Sequence, residues 1–268
     1  MTDLGLTVLY TLFAWWFSTG AILYLDGLPQ RTYRYSMAVA SLVLIAALHG
    51  LDISSTDASA AGAYVAFTSS LLVWGWLEMS FLMGYITGPR RSACPPGARG
   101  WRRARYALEA VLHHELALLA GALLVAGITR DAINSTGFWT YMILWTLRSS
   151  AKLNVFLGVR NLSEAFLPEH LRYLQSYFTR RPMNLLFPFS VIVSTTVATL
   201  LWRMAILAPD DSHQAASLGF LATLLSLAVL EHWFLVLPIP ADLLWKWGLR
   251  SRAAEDGSAI KTGFGAGR

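Results

Sequence analysis

Glu109, His113, His114 and Glu115 put two carboxylates and two imidazoles into a stretch of seven residues. Carboxylate and imidazole are the groups that ligate metals and relay protons, so such a run is a candidate site. Glu109 and His113 are four apart and share a helix face, whereas His114 is turned about 100° away from His113. Three other segments carry comparable groups in apolar surroundings: Glu78, the set Arg148, Lys152 and Asn154, and the adjacent pair Glu231 and His232. Arg148 and Lys152 are again four apart, which makes one face of their helix cationic.

Three chemistries compete for these residues. One is an ion-pair network that only fixes how helices pack, because burying a charge without a partner is prohibitive. Another is a pigment or porphyrin site in which His113, His114 or His232 ligates a central metal. The third is a carboxylate-bridged di-metal oxidase site built from Glu78, Glu109, His113 and Glu231. Familiar bundle sites use Glu-x-x-His, whereas here Glu109 and His113 are four apart and Glu231 and His232 adjacent. A proton or ion pathway has less support, since no second matched set of broken helices is found.

The elements that must hold these groups are membrane helices. Of the 268 residues, 55% are hydrophobic and 14% charged, well away from the roughly 25% charged of a soluble domain. Seven apolar runs approach the roughly 20 residues needed to cross the hydrocarbon core; they cover 4–25, 35–51, 62–87, 106–128, 137–159, 184–206 and 215–237. These runs are continuous, unlike the alternating strands of a membrane barrel. The loops at 26–34, 88–105 and 160–183, with the tail after 237, hold seventeen Lys or Arg, against Arg130 alone at the other ends. That bias predicts an odd number of spans.

The expected fold is therefore all-α: a polytopic membrane bundle of about seven transmembrane helices, N-terminus periplasmic and C-terminus cytoplasmic. Residues 1–252 form its one domain, and 253–268 read as a disordered cytoplasmic tail. Glu78, Glu109, His113, His114, Glu115, Arg148, Lys152, Asn154, Glu231 and His232 then all lie between the midplane and the basic end. Two basic-side pieces, "LPEHLRYLQSYF" and "ADLLWKWGLR", are expected to be helices in the membrane interface. The first would present Leu171, Leu174 and Phe178 on one face, and the second would set Trp245 and Trp247 at headgroup level.

Other functions are excluded or weakened. The net charge of +5 resides in topology-setting loops, so no nucleic-acid partner is expected. Cys94 is the single cysteine, which excludes CxxC and intrachain disulfide chemistry. No GxGxxG, P-loop, GxSxG or HExxH motif occurs. The first apolar run reads as a retained helix rather than a signal peptide.

The stretches "LEMSFLMGYITGPRRSACPPG", "HHELALL", "RSSAKLNVFLGVRN" and "LPEHLRYLQSYFTRRPMNLLFPFS" resemble the PuhE family of photosynthetic complex assembly proteins of purple phototrophic bacteria. The likeness covers most of the chain and is strongest from Leu77 to Pro188. It implies an assembly factor for the reaction centre and light-harvesting complex in the cytoplasmic or intracytoplasmic membrane. Its partners would be subunits of those complexes and membrane lipids, with bacteriochlorophyll as the cofactor it handles. A membrane enzyme of the di-metal oxidase type, acting on a tetrapyrrole or another lipid-soluble substrate, is the alternative. The resemblance carries no catalytic residues.

Overall fold

The computed structural model of the chain describes residues 3–252, and the tail expected to be disordered lies outside the described residues. Seven long helices follow one another: α1 (Asp3–Asp26), α2 (Tyr33–Ser55), α3 (Ala60–Leu82), α4 (Gly100–Ile128), α5 (Thr136–Leu157), α6 (Leu186–Leu207) and α7 (His213–Phe234). Among the described residues there is no strand, only a single parallel pairing of Val159 with Arg180. Among the described residues six helices are long and apolar enough to cross a membrane. The seventh is α5, whose Arg148 and Lys152 lower its apolarity.

Helix α5 nevertheless runs the length of the bundle. Just before it, Asn134 donates to the Ser54 carbonyl at the end of α2 (3.0 Å), and Thr136 at its start meets Ser217 near the start of α7 (2.8 Å). After it, the Val159 N–H bonds the Thr179 carbonyl (3.2 Å) among the basic loops. Its 22 residues measure about 33 Å, enough for the roughly 30 Å hydrocarbon core. The protein is an all-α polytopic membrane helix bundle. Leu42, Ile45, Leu123, Ile192 and Ile206 expose between 64% and 68% of their surface, a cost in water that lipid removes.

The centre of the bundle is α3, α5 and α7. Phe67 of α3 stacks on Phe220 of α7 with centroids 4.4 Å apart, and Tyr10 of α1 meets the Phe220 ring edge-on at 6.0 Å. Tyr141 of α5 is fully buried and donates to the Leu118 carbonyl of α4 (2.8 Å). Gly121 makes that approach possible, because a Cβ there would strike the Tyr141 hydroxyl.

Towards the basic end the three central helices stop early. Helix α3 ends four residues beyond Glu78, α5 five beyond Lys152 and α7 three beyond Glu231, so each continues only about 5–8 Å below its charged group. By contrast, α4 extends fifteen residues below Glu115 and α1 eleven beyond Trp15, or about 16–22 Å. The end of α3 at Leu82, five residues short of the expected 87, is set by Gly84, whose φ of +81° suits glycine. The N–H groups of Tyr85 and Ile86 both turn back to the Ser80 carbonyl. Irregular segments fill the space beneath the stopped helices. Irregular backbone at membrane depth is tolerated where protein encloses it.

This filling corrects both expected interface helices. The first is a 3-10 turn over Glu169–Tyr177 whose Leu171, Leu174 and Tyr177 are buried against Phe81, Leu82 and Ala110. Its apolar side faces protein because α3 has left a void there. The second is a 3-10 turn over Ala241–Trp245 that lies along α1. Trp245 is 3% exposed and donates to the Trp16 carbonyl (3.0 Å), while Trp247 stacks on Phe17, so neither ring sits free at headgroup level.

Arg103 of α4 joins these pieces. Its guanidinium donates to the carbonyls of Tyr177 (2.5 Å) and Phe156 (3.3 Å) and to Thr179 Oγ1 (2.6 Å). It also lies 4.2 Å over the Phe156 ring. Arg103→Lys keeps the charge but not the planar fork, and should cost about 2 kcal/mol of stability. The measurement is the melting temperature in detergent; an unchanged value would show that the fork does not hold the loops.

His170 provides a pH-dependent contribution. It sits beside the Tyr33 ring at 6.2 Å, and among the described residues its Nε2 has no hydrogen-bond partner. Burial holds its pKa below the ordinary value, opposed by a backbone hydrogen bond at Leu82. The unfolded chain therefore takes a proton near pH 6.5 that the folded chain resists. Stability is full above that pH and falls as the pH drops through it towards the lower folded value. His170→Gln should shrink the loss of melting temperature between about pH 7.5 and pH 5.5; an equal loss in both proteins would remove His170 as its source.

Candidate functional site

The early stop of α3, α5 and α7 leaves a cavity of about 760 Å³, lined by α1, α3, α4, α5 and α7 and closed below by Phe166, Leu174 and Tyr177. That volume suits a drug-sized or cofactor-sized molecule. Its walls are mostly apolar, with one charged layer and with Ser18, Thr19, Ser149 and Ser163 also among the lining residues. Leu71, Trp74, Ile143 and Leu224 lie towards the far end, and Phe81, Phe156 and Phe178 towards the basic end. Between them are Glu78, Glu115, Arg148, Lys152 and Glu231.

Pairing within the layer is specific. Arg148 donates to Glu78 Oε2 at 3.0 Å and Lys152 to Glu115 Oε1 at 2.8 Å. Glu78 exposes 11% of its side chain but Arg148 exposes 44%, and the space that Arg148 faces is the cavity. Three carboxylates line the cavity against two cations, leaving one acid in excess. That acid is Glu231, whose Oε1 accepts the Trp15 indole N–H at 2.7 Å and which has no cation within salt-bridge reach among the described residues.

The other expected ligands go elsewhere. His114 is fully buried behind Glu78, with its ring centroid 4.4 Å from that of Phe81. Its Nε2 is 3.7 Å from Glu78 Oε1, too long for a hydrogen bond. His113 faces the outside of the bundle and is exposed. His232 is buried and engaged on both nitrogens, by Ser150 at 2.9 Å and the Ala228 carbonyl at 2.8 Å. Glu109 lies below the ends of α3 and α5, where it meets Arg105 at 3.2 Å and Arg90 at 3.9 Å. Glu109 and His113 are therefore not brought together with Glu78 and Glu231. Among the described residues no three His, Cys, Asp or Glu side chains gather as a metal site.

Asn154 belongs to a packing hub rather than to the cavity. Its Nδ2 donates to the Ser150 carbonyl (3.0 Å), and its Oδ1 accepts from Asn184 (3.0 Å). Asn184 also holds the Gly158 carbonyl (2.9 Å) and accepts the Leu186 N–H (2.8 Å), which opens α6. An Asn directly ahead of an apolar run is a helix-start signal. No spacing signal marks Trp15, which meets Glu231 from 216 residues away.

Residues 1–256 match the model of a family described as a protein of unknown function, DUF3623. The chain belongs to the DUF3623 family. A protein of Rhodobacter capsulatus described as an uncharacterized 30.4 kDa protein in the puhA 5′ region is 41% identical over 257 residues, which cover 94% of this DUF3623 chain and 93% of that protein. No solved structure matches it.

Proposed function

We propose that this DUF3623 protein is a PuhE-type assembly factor that holds bacteriochlorophyll while the photosynthetic reaction centre and its light-harvesting complex are built. One observation carries the pigment part of this reading: a cavity of about 760 Å³, mostly apolar with one charged layer, inside a membrane bundle. A lipid-soluble molecule with a few polar positions matches such walls. The relative from the puhA 5′ region supports the photosynthetic part. On this reading the membrane is the cytoplasmic or intracytoplasmic one, with the arginine-rich loops on the cytoplasmic side. Those loops face anionic lipid and the acidic surfaces of complex subunits.

Purification from phototrophically grown cells tests the pigment part, through an absorption spectrum and metal content on one sample. A bound bacteriochlorin is the expected result. A deletion strain with normal pigment and normal complex levels would overturn the assembly role.

A further inference from the structure

Phe166, Leu174 and Tyr177 close the cavity below, and Trp15, bonded to Glu231 and backed by Trp245, closes it between α1 and α7. Between α4 and α5 the wall is thin. The two helices pack together near their far ends, where Leu118 and Ala122 of α4 share a core with Tyr141 and Leu144 of α5. In the basic half they part. There Ala107, Ala110 and Val111 of α4 pack on Phe81, Leu82 and Leu174, while Ala151 and Val155 of α5 pack on Val159, Leu162 and Leu235, and the two groups share no side chain. Between the Tyr141–Leu118 and Arg103–Phe156 bonds both helices run about 22 Å, from 103 to 118 in α4 and from 141 to 156 in α5. Among the described residues one hydrogen bond or ion pair joins α4 to α5 within that stretch, Lys152 to Glu115 at 2.8 Å. Leu108 of α4 and Leu153 of α5 line the cavity there, yet expose 51% and 53% of their surface. Residues that belong at once to the cavity wall and to the outer surface mark its mouth, and apolar ones at membrane depth face lipid.

We infer that the cavity takes up its ligand sideways from the bilayer, through a mouth between α4 and α5 that the Glu115–Lys152 bridge latches. The route sets the ligand class: an uncharged, lipid-soluble molecule, since a charged one would meet the cost of ions in hydrocarbon. Parting the bridge requires no helix to move, because both partners are flexible side chains that remain 26% exposed. Arg148 lies behind the latch, bonded to Glu78, and its further N–H groups suit acceptor atoms on the entering molecule. This entry route goes beyond the pigment reading and holds for any neutral ligand of the cavity.

The test places a single thiol in the cavity, Ala228→Cys on α7, in a Cys94→Ser background. The protein, held in lipid nanodiscs, reacts either with N-pyrenylmaleimide, which dissolves in the bilayer, or with a disulfonated stilbene maleimide, which stays in water. The lipid-soluble reagent should react at least about tenfold faster. Glu115→Gln and Lys152→Met each undo the latch and should raise that rate at least about threefold, as the open state gains population. The first variant keeps the lysine and the second the glutamate, so a mere effect of local charge on the thiol would drive the two rates in opposite directions. Leu153→Trp, at a lipid-facing position, fills the mouth and should slow the reaction at least about threefold. Equal rates for the two reagents, no reaction with the lipid-soluble one, or an unchanged rate in Leu153→Trp would overturn the lateral mouth. Opposite or absent effects of Glu115→Gln and Lys152→Met would overturn the latch.

Discussion

Arg148→Met should lower stability by about 3–5 kcal/mol, the usual result of removing one partner from a buried ion pair. Glu78 is the reason. Its carboxylate exposes 11% of its side chain and has Arg148 as its cation at 3.0 Å, while His114 stands off at 3.7 Å. Without Arg148 the acid is left at membrane depth facing apolar walls. Because Arg148 itself opens onto the cavity, water can enter beside it, and the loss should fall at the lower end of that range. Lys152→Met is the internal comparison: both partners of that bridge are 26% exposed, so it should cost less. The double variant Arg148→Met with Glu78→Gln removes the uncompensated charge and should recover much of the loss. Melting temperatures of the unaltered protein, Arg148→Met, Glu78→Gln and the double variant in one detergent form a double-mutant cycle. Additive losses would mean that Arg148 and Glu78 do not support each other.

Depth was legible in the sequence and adjacency was not. The apolar runs and the bias of basic loops place Glu78, Glu115, Arg148, Lys152 and Glu231 at one level, because each depth follows from counting along a single helix. That level is where the cavity's charged layer lies. Which side of a helix faces inward depends on its neighbours, so the adjacent His113 and His114 could not be assigned, and one is exposed while the other is fully buried. Glu109 shares a face with His113 but lies six residues below Glu115, beyond the point where α3 and α5 end. An early helix end is a tertiary event: the apolar run of span three continues past Leu82, and the left-handed Gly84 breaks it. The leucines of the Glu169–Tyr177 turn look membrane-facing from sequence for the same reason, since the void they fill appears only once α3 has stopped.

Trp245→Ala should cost about 3–5 kcal/mol, the range for removing a buried tryptophan, and should also weaken whatever the cavity holds. Trp245 is 3% exposed. Its ring meets Trp15 edge-on at 5.0 Å and Phe166 at 5.8 Å, and both of those residues line the cavity. The segment it belongs to is tied to α1 by two reciprocal indole bonds, Trp245 to the Trp16 carbonyl at 3.0 Å and Trp16 to the Leu244 carbonyl at 2.8 Å. Further along, Arg252 reaches Asp26 at 2.6 Å and the Phe166 carbonyl at 3.2 Å. Truncation at Trp245 removes the backing of Trp15 and Phe166 together, so the indole that orients Glu231 loses its support. Trp245→Phe keeps most of the ring contact but not the N–H, and should lose about 1 kcal/mol of stability with little change in ligand binding. Melting temperature and tryptophan quenching by added bacteriochlorophyll, measured on both variants, separate the two effects. If Trp245→Ala lowers melting but binds the pigment as the unaltered protein does, the segment after α7 fastens α1 without shaping the cavity.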